Sequence, residues 1–188
     1  MRTCQRSVFF NMADNEDETY ELCNLKGSFV SLAMFKDVTN CKELRQAAID
    51  GNIEAALLKP KMLINPLQVL LAAHKAIHNN KMDKLKTKTL YSEIIFNLSP
   101  TNNISDSFRK FGLADGDDSV LIATISSDAQ KMSSVTAFVQ GNRVPVNTLS
   151  TSADREFIKK IYKVTESELA CGSLADAVIF RMATKDAL

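Results

Sequence analysis

The chain has 188 residues, 45% of them hydrophobic, with 23 basic against 22 acidic residues and a formal net charge of +1. That length suits one domain, or one domain plus a tail, and the apolar share is enough for a sizeable core. The near-neutral balance excludes a nucleic-acid role carried by overall charge, and no run approaches the roughly 18 apolar residues that a membrane-spanning helix needs.

Local charge is segregated. Asp14, Glu16, Asp17, Glu18 and Glu21 have no base among them, whereas Lys75, Lys81, Lys84, Lys86 and Lys88 have only Asp83 in their company. The four cysteines, Cys4, Cys23, Cys41 and Cys171, are scattered without a C-x-x-C pair. That spacing argues against a zinc ribbon or a redox pair and fits reduced thiols in a cytosolic or nuclear protein.

In chain order, residues 1–17 read as a disordered extension and residues 18–188 as the folded domain. YELCNL and SFVSLAMF, separated by Lys26-Gly27, predict a β-hairpin. Asn40 with Glu43 three residues on predicts a capped helix that Gly51 ends. IEAALL then reads as a short helical piece, and MLI at 62–64 as a buried strand. Asn65-Pro66 opens a helix with a capping side chain followed by proline at the first position. Thr89 caps a helix over LYSEIIFNLS, SPTNN is a loop, and ISDSFRKF is a helix closed by Gly112. SVLIATIS at 119–126 is a central strand. AQKMSSVTAFVQ predicts a helix stopped by Gly141, RVPV an extended edge piece, REFIKKIYKV a helix capped by Ser152, and LADAVIFRMATK the last helix. Helices and strands mix without strict alternation. The expected class is therefore α/β of mixed type (α+β), a single helix-rich domain around a small mixed β-sheet.

At about 100° per residue, Val69, Ala72, Ala73, Ala76 and Ile77 share one face of the helix that starts at Pro66, with Leu70 at its edge, and form its core side. Leu67, Leu71, His74 and His78 fall on another side, where either the core wraps round or a partner covers them. The two histidines stand four apart, as in H-E-x-x-H, but Lys75 occupies the position of the catalytic carboxylate and the chain has no third histidine. No metal and no cofactor are expected. The lysines that follow suit phosphate neutralisation along a nucleic-acid backbone; they equally suit a solvated helix end, favoured by the dipole. The last helix carries Leu174, Ala175, Val178, Ile179 and Met182 on one broad stripe with Phe180 pointing away, a pattern that fits deep burial or a partner helix. Gly-rich phosphate loops and nucleophile elbows are absent, and Gly116-Asp117-Asp118 reads as a turn.

Several runs resemble one family: MFKDVTNCKELRQAAIDGNIEAALLKP, INPLQVLLAAHKAIH, KTKTLYSEIIFNLSPTNNIS, FRKFG, KKIYKV and DAVIFRMATKDAL. They are very similar to the PRPK-binding proteins (TPRKB), the small accessory subunits of the EKC/KEOPS complex, over about Tyr20 to Leu188. The resemblance implies a non-catalytic chain that binds and supports a PRPK-type atypical kinase/ATPase subunit, meets other subunits indirectly, and helps capture tRNA by its 3′ end. The complex places a threonylcarbamoyl group on the adenosine beside the anticodon, with transfer on another, metal-bearing subunit. Under that reading His74, Lys75, His78, Lys81, Lys84, Lys86 and Lys88 are candidate tRNA contacts, since single strands are held by cationic surface plus stacking. Archaeal relatives carry arginine in the loop corresponding to PTNNI, where this chain has no positive charge. Leu174, Val178, Arg181 and Met182 are candidates for the kinase-facing surface, and the expected compartments are cytoplasm and nucleus. Two other readings stay open: a stand-alone RNA-binding module using the lysine segment, and a hydrolase hidden in the His/Cys set.

Overall fold

The apolar runs of the sequence are placed first by two long strands. In the computed structural model, which describes residues 11–13, 18–22, 28–126 and 130–186, strand β3 (Phe29–Lys36) pairs antiparallel with strand β5 (Ser119–Ser126) along its whole length, Phe29 opposite Ser126 and Lys36 opposite Ser119. Side chains alternate across a strand, so this pair must be apolar on both faces if both are covered. Both are. Val30, Leu32, Met34, Leu121 and Ala123 join one buried cluster, and Ala33, Phe35, Val120 and Ile122 join a second.

Around this pair the sheet runs β1 (Asn11–Ala13), β2 (Glu18–Glu21), β3, β5, β4 (Ala56–Leu58), with β6 (Asn142–Val144) also on β3. Strand β2 (Glu18–Glu21) covers Phe29–Leu32 of β3, and β6 covers Met34–Lys36 on the same edge. The expected hairpin therefore forms, although its Lys26-Gly27 turn lies outside the described residues. Every described pairing is antiparallel, so the small sheet is not mixed in strand direction. Within the stretch read as a disordered extension, Asn11–Ala13 forms strand β1 against β2. The remainder of residues 1–17 lies outside the described residues.

On the larger core lie α2 (Pro66–Lys81), α3 (Leu90–Leu98) and α9 (Leu174–Thr184), with Ile158 of α7 (Arg155–Ile161) and Tyr162 just beyond it. The smaller core takes α1 (Cys41–Ile49) and the α5 helix (Gln130–Thr136) through Cys41, Leu44, Met132 and Val135. Helices α4 (Ile104–Phe111), α6 (Leu149–Ser152) and α8 (Glu166–Cys171) complete the described α-helices. The Asn65 and Thr89 caps form as their sequences predict, accepting from Gln68 N and Ser92 N. Val69, Leu70, Ala72, Ala73, Ala76 and Ile77 are all buried.

Four local expectations fail for tertiary reasons. IEAALL does not coil: Ala56–Leu58 is strand β4 on β5, because the span between Gly51 (φ 82°) and Pro60 is short and all three residues are buried against the sheet. MLI is buried but is no strand, since Pro60 opens a 3₁₀ turn through Met62. Asp154, not Ser152, caps α7 by accepting from Phe157 N. Asn40 precedes α1 without a side-chain cap. Its Nδ2 donates to Phe138 O at 2.8 Å and its Oδ1 accepts from Gln140 N at 3.0 Å, which fastens the 138–140 segment to the start of α1. Gly141 follows because a Cβ there would lie 2.8 Å from Val38 Cγ2 and 2.9 Å from Lys36 O.

Asn40→Ala should destabilise the protein by about 1–2 kcal/mol through two lost hydrogen bonds. Asn40→Ser, an equally good helix cap, should not restore it; urea unfolding midpoints of the three proteins measure this.

Candidate functional site

The lysine segment is shaped by one carboxylate. Glu93 sits in the first turn of α3 and is fully buried. Its Oε2 accepts from Lys86 N at 3.1 Å, Thr87 N at 3.0 Å and Thr87 Oγ1 at 2.8 Å, and its Oε1 accepts from Asn79 Nδ2 at 3.3 Å. A buried carboxylate is tolerated when donors of this kind satisfy it, and the N-terminal end of α3 adds a favourable dipole. The result is that the end of α2 and the 86–87 loop are held in one geometry against α3. Asp83, at φ 54°, turns the chain between them.

The seven candidate tRNA contacts divide into three groups. Lys81, Lys84 and Lys88 are exposed, and no ion pair among the described residues engages them. His78 is exposed and His74 half-buried. Lys75 and Lys86 converge on Asp186: Lys75 Nζ lies 2.5 Å from Oδ2 and Lys86 Nζ 2.7 Å from Oδ1. Next to them Lys185 is 3% exposed, donates to Phe96 O at 2.5 Å and stands 3.4 Å above the Phe96 ring. Burial pulls the Lys185 ammonium down to about 8, and the neighbouring Lys75 and Lys86 charges push the same way. Partial burial works to raise the Asp186 carboxyl, but the hydrogen bonds and charges of Lys75 and Lys86 outweigh it and hold it at about 2.

Lys88 also borders a groove of about 1160 Å³ between the end of α1, strand β4 and helices α3 and α4. Ile49, Tyr91, Ile95 and Phe108 give it apolar lining, and Arg45 and Arg109 stand with Lys88 along it. Its residues come from distant parts of the chain, so no spacing in the sequence pointed to it. The Gly116-Asp117-Asp118 turn is structural: Asp117 accepts from Ala114 N and pairs with Lys59 and Lys61. Among the described residues no three His, Cys, Asp or Glu side chains gather as metal ligands.

Three of the four candidate kinase-facing residues lie inside the fold of this chain. Leu174, Val178 and Met182 are 5%, 0% and 2% exposed and belong to the larger core, so they cannot touch a partner while α9 stays docked. Their four-residue spacing is the inward stripe of the helix. Arg181 is half-buried, paired with Glu168 at 2.8 Å and donating to Lys163 O. The outward position is Phe180, 63% exposed; Phe157 on α7 and Leu67 on α2 are further large apolar residues left in solvent.

The Asp186 pairing gives a pH signature. Its folded carboxyl lies below the ordinary value of 3.8, so its contribution to stability is present above that value and lost as pH falls toward about 2. Asp186→Asn should therefore unfold less steeply with acid across that window than the parent protein, in thermal melts followed from pH 5 to 2.

Residues 35–186 match the family model described as "Kinase binding protein CGI-121". The chain is 45% identical over 159 residues to "EKC/KEOPS complex subunit TPRKB" of Danio rerio, an alignment spanning 84% of this chain and 91% of that one. It is 35% identical over 157 residues to "EKC/KEOPS complex subunit cgi121" of Aspergillus fumigatus, covering 78% and 83% of the two chains. With "EKC/KEOPS complex subunit CGI121" of Kluyveromyces lactis it shares 31% over 145 residues, 76% and 91% of the two chains. A chain matched over this extent belongs to the CGI-121 family of kinase binding proteins.

Proposed function

We propose that the protein is a non-catalytic subunit of an EKC/KEOPS complex in cytoplasm and nucleus. It docks on a PRPK-type kinase/ATPase subunit and helps hold tRNA, by its 3′ end, for threonylcarbamoyl modification of the adenosine beside the anticodon. The observation that carries this reading is the 45% identity, across 91% of its length, to a relative named as a subunit of that complex. Two surface features support it. The outward side of α9 presents Phe180 to solvent, and Phe157 and Leu67 supply further exposed apolar anchors; anchors of that kind dominate protein interfaces. The exposed Lys81, Lys84 and Lys88 offer phosphate-neutralising charge on a loop that Glu93 keeps ordered.

The protein-facing half is tested by capture of the purified kinase-type subunit. Phe180→Glu should weaken it by about 2 kcal/mol, roughly thirtyfold in Kd. Phe138→Glu, also exposed but beyond α5 in the smaller-core layer, should leave capture unchanged. Full capture by folded Phe180→Glu would move the interface elsewhere.

The RNA-facing half is tested by fluorescence anisotropy on a short single-stranded RNA with a tRNA 3′ end. Each lysine removed from Lys81 and Lys84 should flatten the plot of log K against log salt by about 0.7. RNA binding without any capture of the kinase-type subunit would favour the stand-alone RNA-binding reading instead.

A further inference from the structure

Asp186 stands in an unusual place for a surface acid. Its two oxygens each take one lysine, Lys75 from α2 and Lys86 from the loop before α3, at 2.5 and 2.7 Å. The ammonium of Lys185 adjoins them but is committed to the Phe96 carbonyl and ring, so it adds positive field without closing on the same oxygens. The Asp186 and Lys86 side chains are 40% and 46% exposed, which leaves that side of the cluster open to solvent, while the Lys75 ammonium lies buried beneath Asp186 with the ion pair as its contact. Lys84 and Lys88 stand two residues to either side of Lys86 in the sequence and are exposed.

We propose that Lys75 and Lys86 form a phosphate site for an RNA strand, held closed by Asp186, whose carboxylate occupies the place of a phosphodiester. This rests on the RNA reading above and adds its regulation. A phosphodiester and a carboxylate present the same chemistry to two ammonium groups: one negative charge shared over two oxygens. Exchange of one for the other keeps both lysines paired and releases Asp186 to solvent. A tethered carboxylate acts at an effective concentration in the millimolar range. Free inorganic phosphate competes poorly with that. A strand already held by Lys81, Lys84 and Lys88 delivers its next phosphate with the same tethering advantage, so the site opens to a polymer and stays shut to the free ion. The gate thus discriminates by connectivity rather than by charge.

The test uses the full chain and a fluorescent single-stranded RNA decamer. Asp186→Asn keeps the side-chain shape and removes the competing charge. It should bind the RNA about fivefold tighter at low salt and with a salt slope steeper by about 0.7, one further phosphate neutralised. Lys75→Ala should change affinity less than twofold in the parent protein and should cancel the gain in the Asp186→Asn background. A purely structural role for the Asp186 pairs predicts weaker or equal binding by Asp186→Asn, and that result would overturn the proposal even while Lys81→Ala and Lys84→Ala still weaken binding. If those two lysine variants bind like the parent, the RNA reading itself is wrong and the gate falls with it. A measurement on the unaltered chain guards against a variant that does not fold. The Asp186 carboxyl carbon resonance should move as RNA saturates and stay fixed under millimolar inorganic phosphate at equal ionic strength. A resonance that ignores RNA, or one that moves as far with free phosphate, counts against the gate.

Discussion

The pairing of β3 with β5 is the constraint on which the remaining structure depends. The two strands are matched over their full length and carry core side chains on both faces. Such a pair is stable only if both faces are covered, which makes two layers of helices obligatory. The larger layer places α2, α3 and α9 against each other and against Leu32, Met34 and Leu121. The candidate RNA surface and the outward side of α9 both belong to that layer, so both inherit their positions from the same sheet face.

Polar groups then refine what apolar burial has placed. Glu93 is the plainest case, because it is fully buried and every donor it takes comes from the region that bears the lysines. Hydrophobic packing fixes where α2 and α3 lie, and this carboxylate fixes how the loop between them runs. Tyr162 does similar work below, donating to Leu98 O at 2.5 Å while its ring meets Phe111 edge-on at 6.1 Å. The lysines are therefore exposed on a backbone that has little freedom, which lowers the ordering cost of any contact they make.

Much of this was legible in the sequence where a local rule and the tertiary environment agreed. The Asn65-Pro66 start, the Thr89 cap and the apolar faces of α2 and β5 were read as they fold, because caps and periodicity act within a few residues. IEAALL and Asn40 misled for the opposite reason: the first has helix-forming residues drawn into a strand by β5, and the second has a capping side chain spent on a segment 98 and 100 residues away. The stripe of Leu174, Val178 and Met182 was visible, but a sequence does not say whether such a stripe faces its own core or another chain. The Asp186 cluster and the groove beside Lys88 were invisible, since each joins residues that only the completed fold brings near.

That last cluster also ties distant parts of the chain together. Lys86 and Asp186 are 100 residues apart, and α2 and α9 share the larger core that brings them near. Closing so long a loop carries an entropic cost that grows only slowly with its length. The charge pattern of this surface is thus a property of the docked fold: Lys75 and Lys86 have Asp186 as a counter-charge only while α9 is seated.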